Sequence, residues 1–588
     1  MSELELSNLF KEFEVGNKEG WKSQLLRELK DKPYESLIWN SIEGFSAEPM
    51  YFPETESADG PASGLRNFAL NANPAFDARH WINFHKVNVL DVEKANKEAL
   101  DALENGADGL LFELDGLLPN LHQLLKGILP QFCSISFCGK FETLEFAKQY
   151  SQWLVENDYP ANDIEGFFDF DPIMLVMQGE TKSFNEDEIS ELIQWFEGYP
   201  KFRPLSVRSQ VYLDTGANIP QQLAWAGLHL VSYLDLLLKA NISPQIALES
   251  IQIQLGMSNQ YFPEIAKFRA AKHLFAKIAE AYGIKNQNIP LHATSSLWSK
   301  SLFDPYNNLI RNTTEAMSAI LGGVDSIYVS PYNESFADPD SSAKRIARNV
   351  STILKEEAYF SKVADPVAGS YFVENLTEQF IQKAWAEFLK LEQDGSILQH
   401  FESGKLFDEI SAERKLKMDA IASRKTSIVG TNTYAEANEM AAINTLDLPL
   451  KGPYLQASRA SFEFEQLRIE VQEAESKNKE IGIFSVAQGF MTQARIGFTQ
   501  SYFATIGLSC SDMQANQKVI VLCGSDEDYG EKLIPQIIAL KNEGKILVLA
   551  GNPANKIALQ EAGVDVFIHM KSNIIENCKK VWAALKNG

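Results

Sequence analysis

The chain has 588 residues, with 54 lysines and arginines against 78 aspartates and glutamates, so its formal charge at pH 7 is −24. That charge, with no dense basic block, argues against nucleic acid as a partner. An apolar fraction of 45% is that of an ordinary globular chain, and no apolar run approaches the length of a membrane span.

The opening "MSELELSNLFKEFEV" is acidic and amphipathic, and it lacks the basic start and apolar core of a secretory signal. Its apolar residues Leu4, Leu6, Leu9, Phe10 and Phe13 suit packing on a partner or on the chain's own next domain. Residues 1–35 are read as this N-terminal segment. Five scattered cysteines, Cys133, Cys138, Cys510, Cys523 and Cys578, predict a reducing, cytoplasmic setting without disulfides.

From 36 to 398, short apolar runs alternate with helical periodicity. "HKVNVL" precedes "DVEKANKEALDALENG", "GLLFEL" precedes "LPNLHQLLKGI", and "FCSISF" precedes "TLEFAKQYSQWLVEND". "SQVYLD" is read as a strand before "IPQQLAWAGLHLVSYLDLLL", and "DSIYVS" as one before "SSAKRIARNVSTILKEE". Alternation repeated this often predicts parallel strands under covering helices, a (β/α)8 TIM barrel. In "YFPEIAKFRAAKHLFAKIAEAYG", Ile265, Phe268, Ala271, Phe275, Ile278 and Tyr282 make one buried stripe. Lys267, Lys272, Lys277 and Glu280 fall outside that stripe, and Gly283 closes the helix. His292 in "IPLHATSSLWS" is placed at a strand end, where catalytic groups of such barrels collect, although a lone histidine is more often structural.

Residues 399–480 read as a helical spacer packed on its neighbours. From 481 to 588, the strands "IGIFSVA", "KVIVLC", "KILVLAG" and "DVFIH" alternate with helices, predicting a doubly wound, flavodoxin-like Rossmann sheet. The stretch after its first strand, Gln488 to Arg495, has no histidine, no carboxylate and one glycine. That is unusual where such modules commonly hold a cofactor.

Generic motifs for nucleotides, zinc or nucleophilic serine are absent. The eight histidines form no pair at metal-ligand spacing, Cys133 and Cys138 have no second ligand pair nearby, and Gly524–Gly530 reads as a solvated turn. No metal site is expected.

"DPYNNLIRNTTEAMSAILGG" at 304–323, "SSAKRIARNVSTILKEE", "DPVAGSYFVENLTEQFIQKAW" and "SIVGTNTYAE" together resemble the adenosylcobalamin-dependent acyl-CoA mutases, methylmalonyl-CoA mutase above all. The resemblance runs from about residue 40 to the end, in the family's order of barrel, spacer and cobalamin-type module. It implies a barrel that binds a CoA ester along its axis, and a module whose D-x-H-x-x-G loop ligates cobalt. Carried onto this sequence, that loop falls on Phe490, Thr492 and Arg495, so the histidine and its carboxylate are missing. The family's thioester-binding Tyr-His pair falls on Gln210 and Val211, with Asp214 at a following glutamate. The carboxylate-gripping arginine has no counterpart between Ser151 and Phe202, and Arg203 does not fit the spacing. Arg79 and Trp81 fall approximately on an arginine and tyrosine beside the family's reactive centre.

These losses imply a chain with no catalytic, cofactor-binding or metal-binding residues of its own. The family includes heterodimers of a large catalytic chain and a smaller, inactive relative, and the resemblance points to the smaller one. Its expected partner is the large subunit, one to one, which would carry adenosylcobalamin for a step of propionate metabolism. The alternatives are a stand-alone acyl-CoA-binding or chaperone-like protein, and a mutase with altered cobalamin ligation, for which His569 is the nearest histidine.

Overall fold

The computed structural model describes residues 17–30, 32–52, 78–116, 118–285, 289–441, 452–474 and 479–586. Leu4, Leu6, Leu9, Phe10 and Phe13 lie outside them. Seven parallel strands form one curled sheet: β1 (Ile82–Asn88), β2 (Gly109–Asp115), β3 (Ser134–Lys140), β5 (Leu205–Arg208), β6 (Ile251–Met257), β7 (Leu291–Ser295) and β8 (Ser326–Tyr328). Its order is β3-β2-β1-β8-β7-β6-β5, so the last strand pairs with the first through Ser326 and Ile82.

The remaining gap, between β3 and β5, is bridged by β4 (Glu165–Phe167) and a short strand, Lys201–Arg203, that precedes β5. Phe168 bridges Phe137 of β3, and the Phe168 amide donates to the Arg203 carbonyl at 3.0 Å. Ser206 Oγ donates to the Phe168 carbonyl at 2.7 Å. The result is a TIM barrel whose fourth strand is short.

"SQVYLD" is not a strand. β5 ends at Arg208, and Gln210–Thr215 is a helical turn closed by Gly216 at φ +114°. The apolar run misled because both conformations bury Val211, Tyr212 and Leu213. His292 is likewise inside β7 rather than at its end.

The Tyr261–Ala281 helix keeps its predicted stripe and its closing Gly283, at φ +83°. Lys267 and Lys272, expected outside it, are buried. Lys267 Nζ reaches Glu264 and the Gly256 carbonyl, both at 2.7 Å, and Lys272 Nζ reaches Asp325 at 2.7 Å. The Ile219–Lys239, Asn307–Gly322 and Tyr371–Asp394 helices all pack on this helix, so even its polar flank must find partners inside.

The C-terminal module is a five-stranded parallel sheet, β9 (Glu480–Ser485), β10 (Ser509–Asp512), β11 (Val519–Cys523), β12 (Ile546–Ala550) and β13 (Val566–Ile568), in the order β10-β9-β11-β12-β13. That is the flavodoxin-like order. One strand more than the four read from sequence is present, because β10, "SCSD", is a half-exposed edge strand with no apolar run. The helix expected further on starts at Phe490, so most of the stretch from Gln488 to Arg495 is its first turns.

Barrel and module share one apolar core. Leu213 and Trp298 from the barrel, Met418, Ile421, Ala460, Phe464 and Leu467 from the intervening helices, and Ile481, Phe503 and Trp582 from the module belong to a single cluster. A buried ion pair fastens the same joint: Arg459 Nε meets Glu465 at 2.7 Å, and Glu465 also accepts from the Leu302 amide at 2.8 Å.

Candidate functional site

Residues two apart on a barrel strand point the same way. β1 offers Phe84 and Lys86 to the axis, β2 Leu111 and Glu113, and the β4 segment Phe167 and Asp169. An apolar group is followed each time by a charged one, and this divides the interior into layers.

The middle layer is an aromatic plug. Phe84 and Phe167 lie edge to face with centroids 5.6 Å apart, and His292 stands 5.4 Å from the first ring and 5.0 Å from the second. Leu111, Cys138 and Tyr328 complete the layer. Gly109 makes room for it, since a Cβ there would stand 2.7 Å from Phe84 Cε1. His292 Nδ1 lies 2.9 Å from Ser326 Oγ, and burial pushes its pKa down to about 3, so it stays neutral. It serves as packing.

Below the plug, towards the N-terminal ends of the strands, is a cavity of about 550 Å³ lined by Ser134, Glu165, Arg203, Gln252 and Asp325 among others. It adjoins a groove lined by Asp108, Asp163, Lys201, Lys355 and Glu356. Carboxylates outnumber cations here, which disfavours a polyphosphate. Above the plug is a chamber of about 250 Å³ with Lys86, Glu113, Cys138, Asp169, Arg208 and Gln254 in its wall. Phe167 is the ceiling of the lower space and part of the floor of the upper one.

The residues singled out in the sequence do not converge. Gln210 borders the upper chamber, but Val211 is buried in the main barrel core. Asp214 accepts from Ser296 Oγ and the Trp298 amide, each at 3.0 Å, and so ties the end of β5 to the loop after β7. Arg203 lines the lower cavity. Arg79 and Trp81 precede β1: Arg79 donates to the Ile320 carbonyl, and Trp81 Nε1 to Ser351 Oγ at 2.9 Å. Both make buried structural contacts, and neither lines the upper chamber. Among the described residues no cluster of histidine, cysteine or carboxylate could hold a metal.

Burial raises the Asp214 carboxyl to about 6, against hydrogen bonds from Trp298 and Ser296 that lower it. A raised folded-state pKa favours folding fully below the unfolded value, and that advantage fades as pH rises through 6. Asp214→Asn is therefore expected to gain about 2 kcal/mol on the wild type between pH 4 and pH 7. Urea unfolding of both chains across that range checks it; parallel curves would show that Asp214 does not titrate there.

In an open sheet of this order, ligands sit beyond the strand ends where the order reverses, here between β9 and β11. Arg495 fills that place. Its guanidinium donates to the Gly524 carbonyl and to Asp526 at 2.5 Å, and lies 5.0 Å from the Tyr529 ring centroid. Tyr529 in turn donates to the Ala550 carbonyl at 2.7 Å. Gly551, at φ +151°, lets the arginine in, since a Cβ would stand 3.1 Å from its Cζ. Thr492 is 2% exposed in the helix's first turn, whereas Phe490 is 85% exposed. His569 follows β13, three places along the sheet from β9, and accepts from the Lys571 amide at 3.2 Å.

The family model described as methylmalonyl-CoA mutase matches residues 117–493. The chain belongs to the methylmalonyl-CoA mutase family. It is 30% identical to the methylmalonyl-CoA mutase small subunit of Porphyromonas gingivalis over 98% of each chain. It is 27% identical to the small subunit of Streptomyces virginiae over 88% of each. The methylmalonyl-CoA mutase of Cereibacter sphaeroides is 28% identical over 72% of this chain and 65% of its own. No helix among the described residues is long and apolar enough to cross a membrane.

The residues at the module's edge do not fit the family's histidine-ligated cobalt cofactor. Thr492 brings no imidazole, Phe490 no carboxylate, and Arg495 with Tyr529 occupies the crevice. Thr492→His is expected to leave the chain colourless with cobalamin and to cost roughly 1–3 kcal/mol by overpacking. Visible absorbance after gel filtration, with a thermal melt, decides; a cobalamin band on the variant would mean that the crevice is open.

The plug and the charged ring above it escaped the sequence reading. Their signal was there, in the spacing Phe84-x-Lys86, Leu111-x-Glu113 and Phe167-x-Asp169.

Proposed function

We propose that this chain is the non-catalytic small subunit of a heterodimeric, adenosylcobalamin-dependent methylmalonyl-CoA mutase of the cytoplasm. It pairs one to one with the large subunit, which carries the cofactor and interconverts methylmalonyl-CoA and succinyl-CoA in propionate metabolism. The observation that carries this reading is the plug of Phe84, Phe167 and His292, standing across the axis along which a CoA ester would thread. The acid-rich lower mouth and the filled crevice of the module support it. So do relatives named small subunits that align over nearly the whole chain.

The test is co-purification of the tagged chain with the large subunit of the same organism, recording cobalamin absorbance on the complex and on each chain. A one-to-one complex whose cofactor travels only with the large chain is expected. Cobalamin held by this chain alone, or no complex, would refute the reading.

A further inference from the structure

The upper chamber of the barrel keeps a polar, solvent-reachable interior that neither packing nor the proposed subunit role uses. On its β5 wall, Arg208 meets Asp169 only as a 3.4 Å ion-pair contact. Its Nε has no hydrogen-bond partner, and among the described residues no acceptor binds its two terminal nitrogens. The backbone beneath is rigid: the Arg208 amide donates to Asp171 at 2.8 Å, and Asp171 is held by His229 at 3.0 Å and Tyr233 at 2.6 Å. Asp169 is fixed by Gln254 at 2.8 Å.

Across the axis on β2, Glu113 gives Lys86 a single long contact of 3.4 Å, while Lys86 is held chiefly by Glu334. Among the described residues Glu113 therefore keeps one oxygen free. Lys140, at the rim, is paired with Glu180 at 3.1 Å. In the chamber wall, Lys86, Lys140 and Arg208 face Glu113, Asp169 and Glu180, three charges of each sign. Such a lining disfavours a dianion and favours a ligand carrying both charges, with an anion at the guanidinium fork and a cation at the opposite carboxylate. Its volume of about 250 Å³ far exceeds the roughly 10–15 Å³ that one water needs. The plug bars a CoA arm from below, so a ligand enters by the chamber's own upper mouth.

The geometry points to a site for a small zwitterion, a short free amino acid, with its carboxylate on Arg208 and its ammonium on Glu113. This rests on the plug and the chamber, and holds whether or not the chain is a mutase subunit.

The full chain is titrated calorimetrically with glycine, β-alanine and 4-aminobutyrate, and in parallel with propionate, succinate and CoA. At least one amino acid is expected to bind saturably in the millimolar range or tighter, roughly tenfold or more better than propionate. Arg208→Gln should weaken it by roughly tenfold or more. Because that arginine stands among buried groups, Glu113→Gln, at a half-exposed position, is the second variant, and it should erase the preference over propionate. Absence of amino acid binding, equal or better binding of propionate or succinate, or unchanged affinity in both variants would overturn the site. CoA binding would overturn the plugged axis and the proposed function with it, whereas failure of the amino acids alone leaves that function standing.

Discussion

Replacing Glu465 with alanine is expected to destabilise the chain by roughly 3–5 kcal/mol, the usual cost of stranding one partner of a buried ion pair. Glu465 and Arg459 are both fully buried. Without the carboxylate, Arg459 keeps among the described residues only the Ser335 carbonyl, at 3.0 Å, for a charge that cannot reach water. The Leu302 amide, which donates to Glu465 at 2.8 Å, loses its acceptor as well, and Ser461 Oγ, which donates to it at 2.6 Å, falls back on the Lys300 carbonyl at 3.0 Å. Urea unfolding would show a large drop in midpoint. Glu465→Gln, which preserves the shape and an acceptor, should recover part of it. A variant as stable as wild type would mean that water reaches Arg459.

Trp298→Ala is expected to cost a comparable 3–5 kcal/mol. The indole joins the core that runs from barrel to module, and Arg414 and Lys417 lie 5.5 and 5.8 Å from its ring centroid. Its backbone takes part too: the amide donates to Asp214, and the carbonyl accepts from the Ala460 amide at 2.9 Å. Truncation leaves a void where backbone on several sides is pinned, so little collapse can relieve it. Differential scanning calorimetry reads the loss; a melting temperature unchanged within a degree or so would show that the joint does not depend on the ring.

The architecture was legible wherever burial acts on a regular period. Strands buried on both faces, such as "GLLFEL" and "KVIVLC", declare themselves as apolar runs, and the long amphipathic helices by their stripes. Short or edge strands do not. Glu165–Phe167 has three residues and "SCSD" has one half-exposed face, so neither carries a hydrophobic signature. "SQVYLD" failed for the opposite reason, since burial at the barrel's top is complete enough to hide the period. Lys267 and Lys272 show the same limit: two neighbouring layers enclose a helix that looks one-sided on its own.

For the site, the residue types at Phe490, Thr492, Gln210 and Val211 are legible directly, because a motif is a matter of identity. The contacts around them are not. The Arg495 clasp depends on Gly524, Asp526, Tyr529 and Gly551 meeting at one sheet edge, and the plug on Phe84, Phe167 and His292 meeting from three strands.

The plug also bears on how the folded chain depends on its surroundings. A barrel that closes round a metabolite gains stability by mass action, in proportion to the logarithm of ligand over dissociation constant, and softens when supply falls. Here the rings that fill the axis belong to the chain, so the filling is always present and no pool can dilute it. The barrel's melting temperature should therefore not follow the concentration of acyl-CoA, whereas a ligand of the upper chamber would add a stabilisation that follows its own supply.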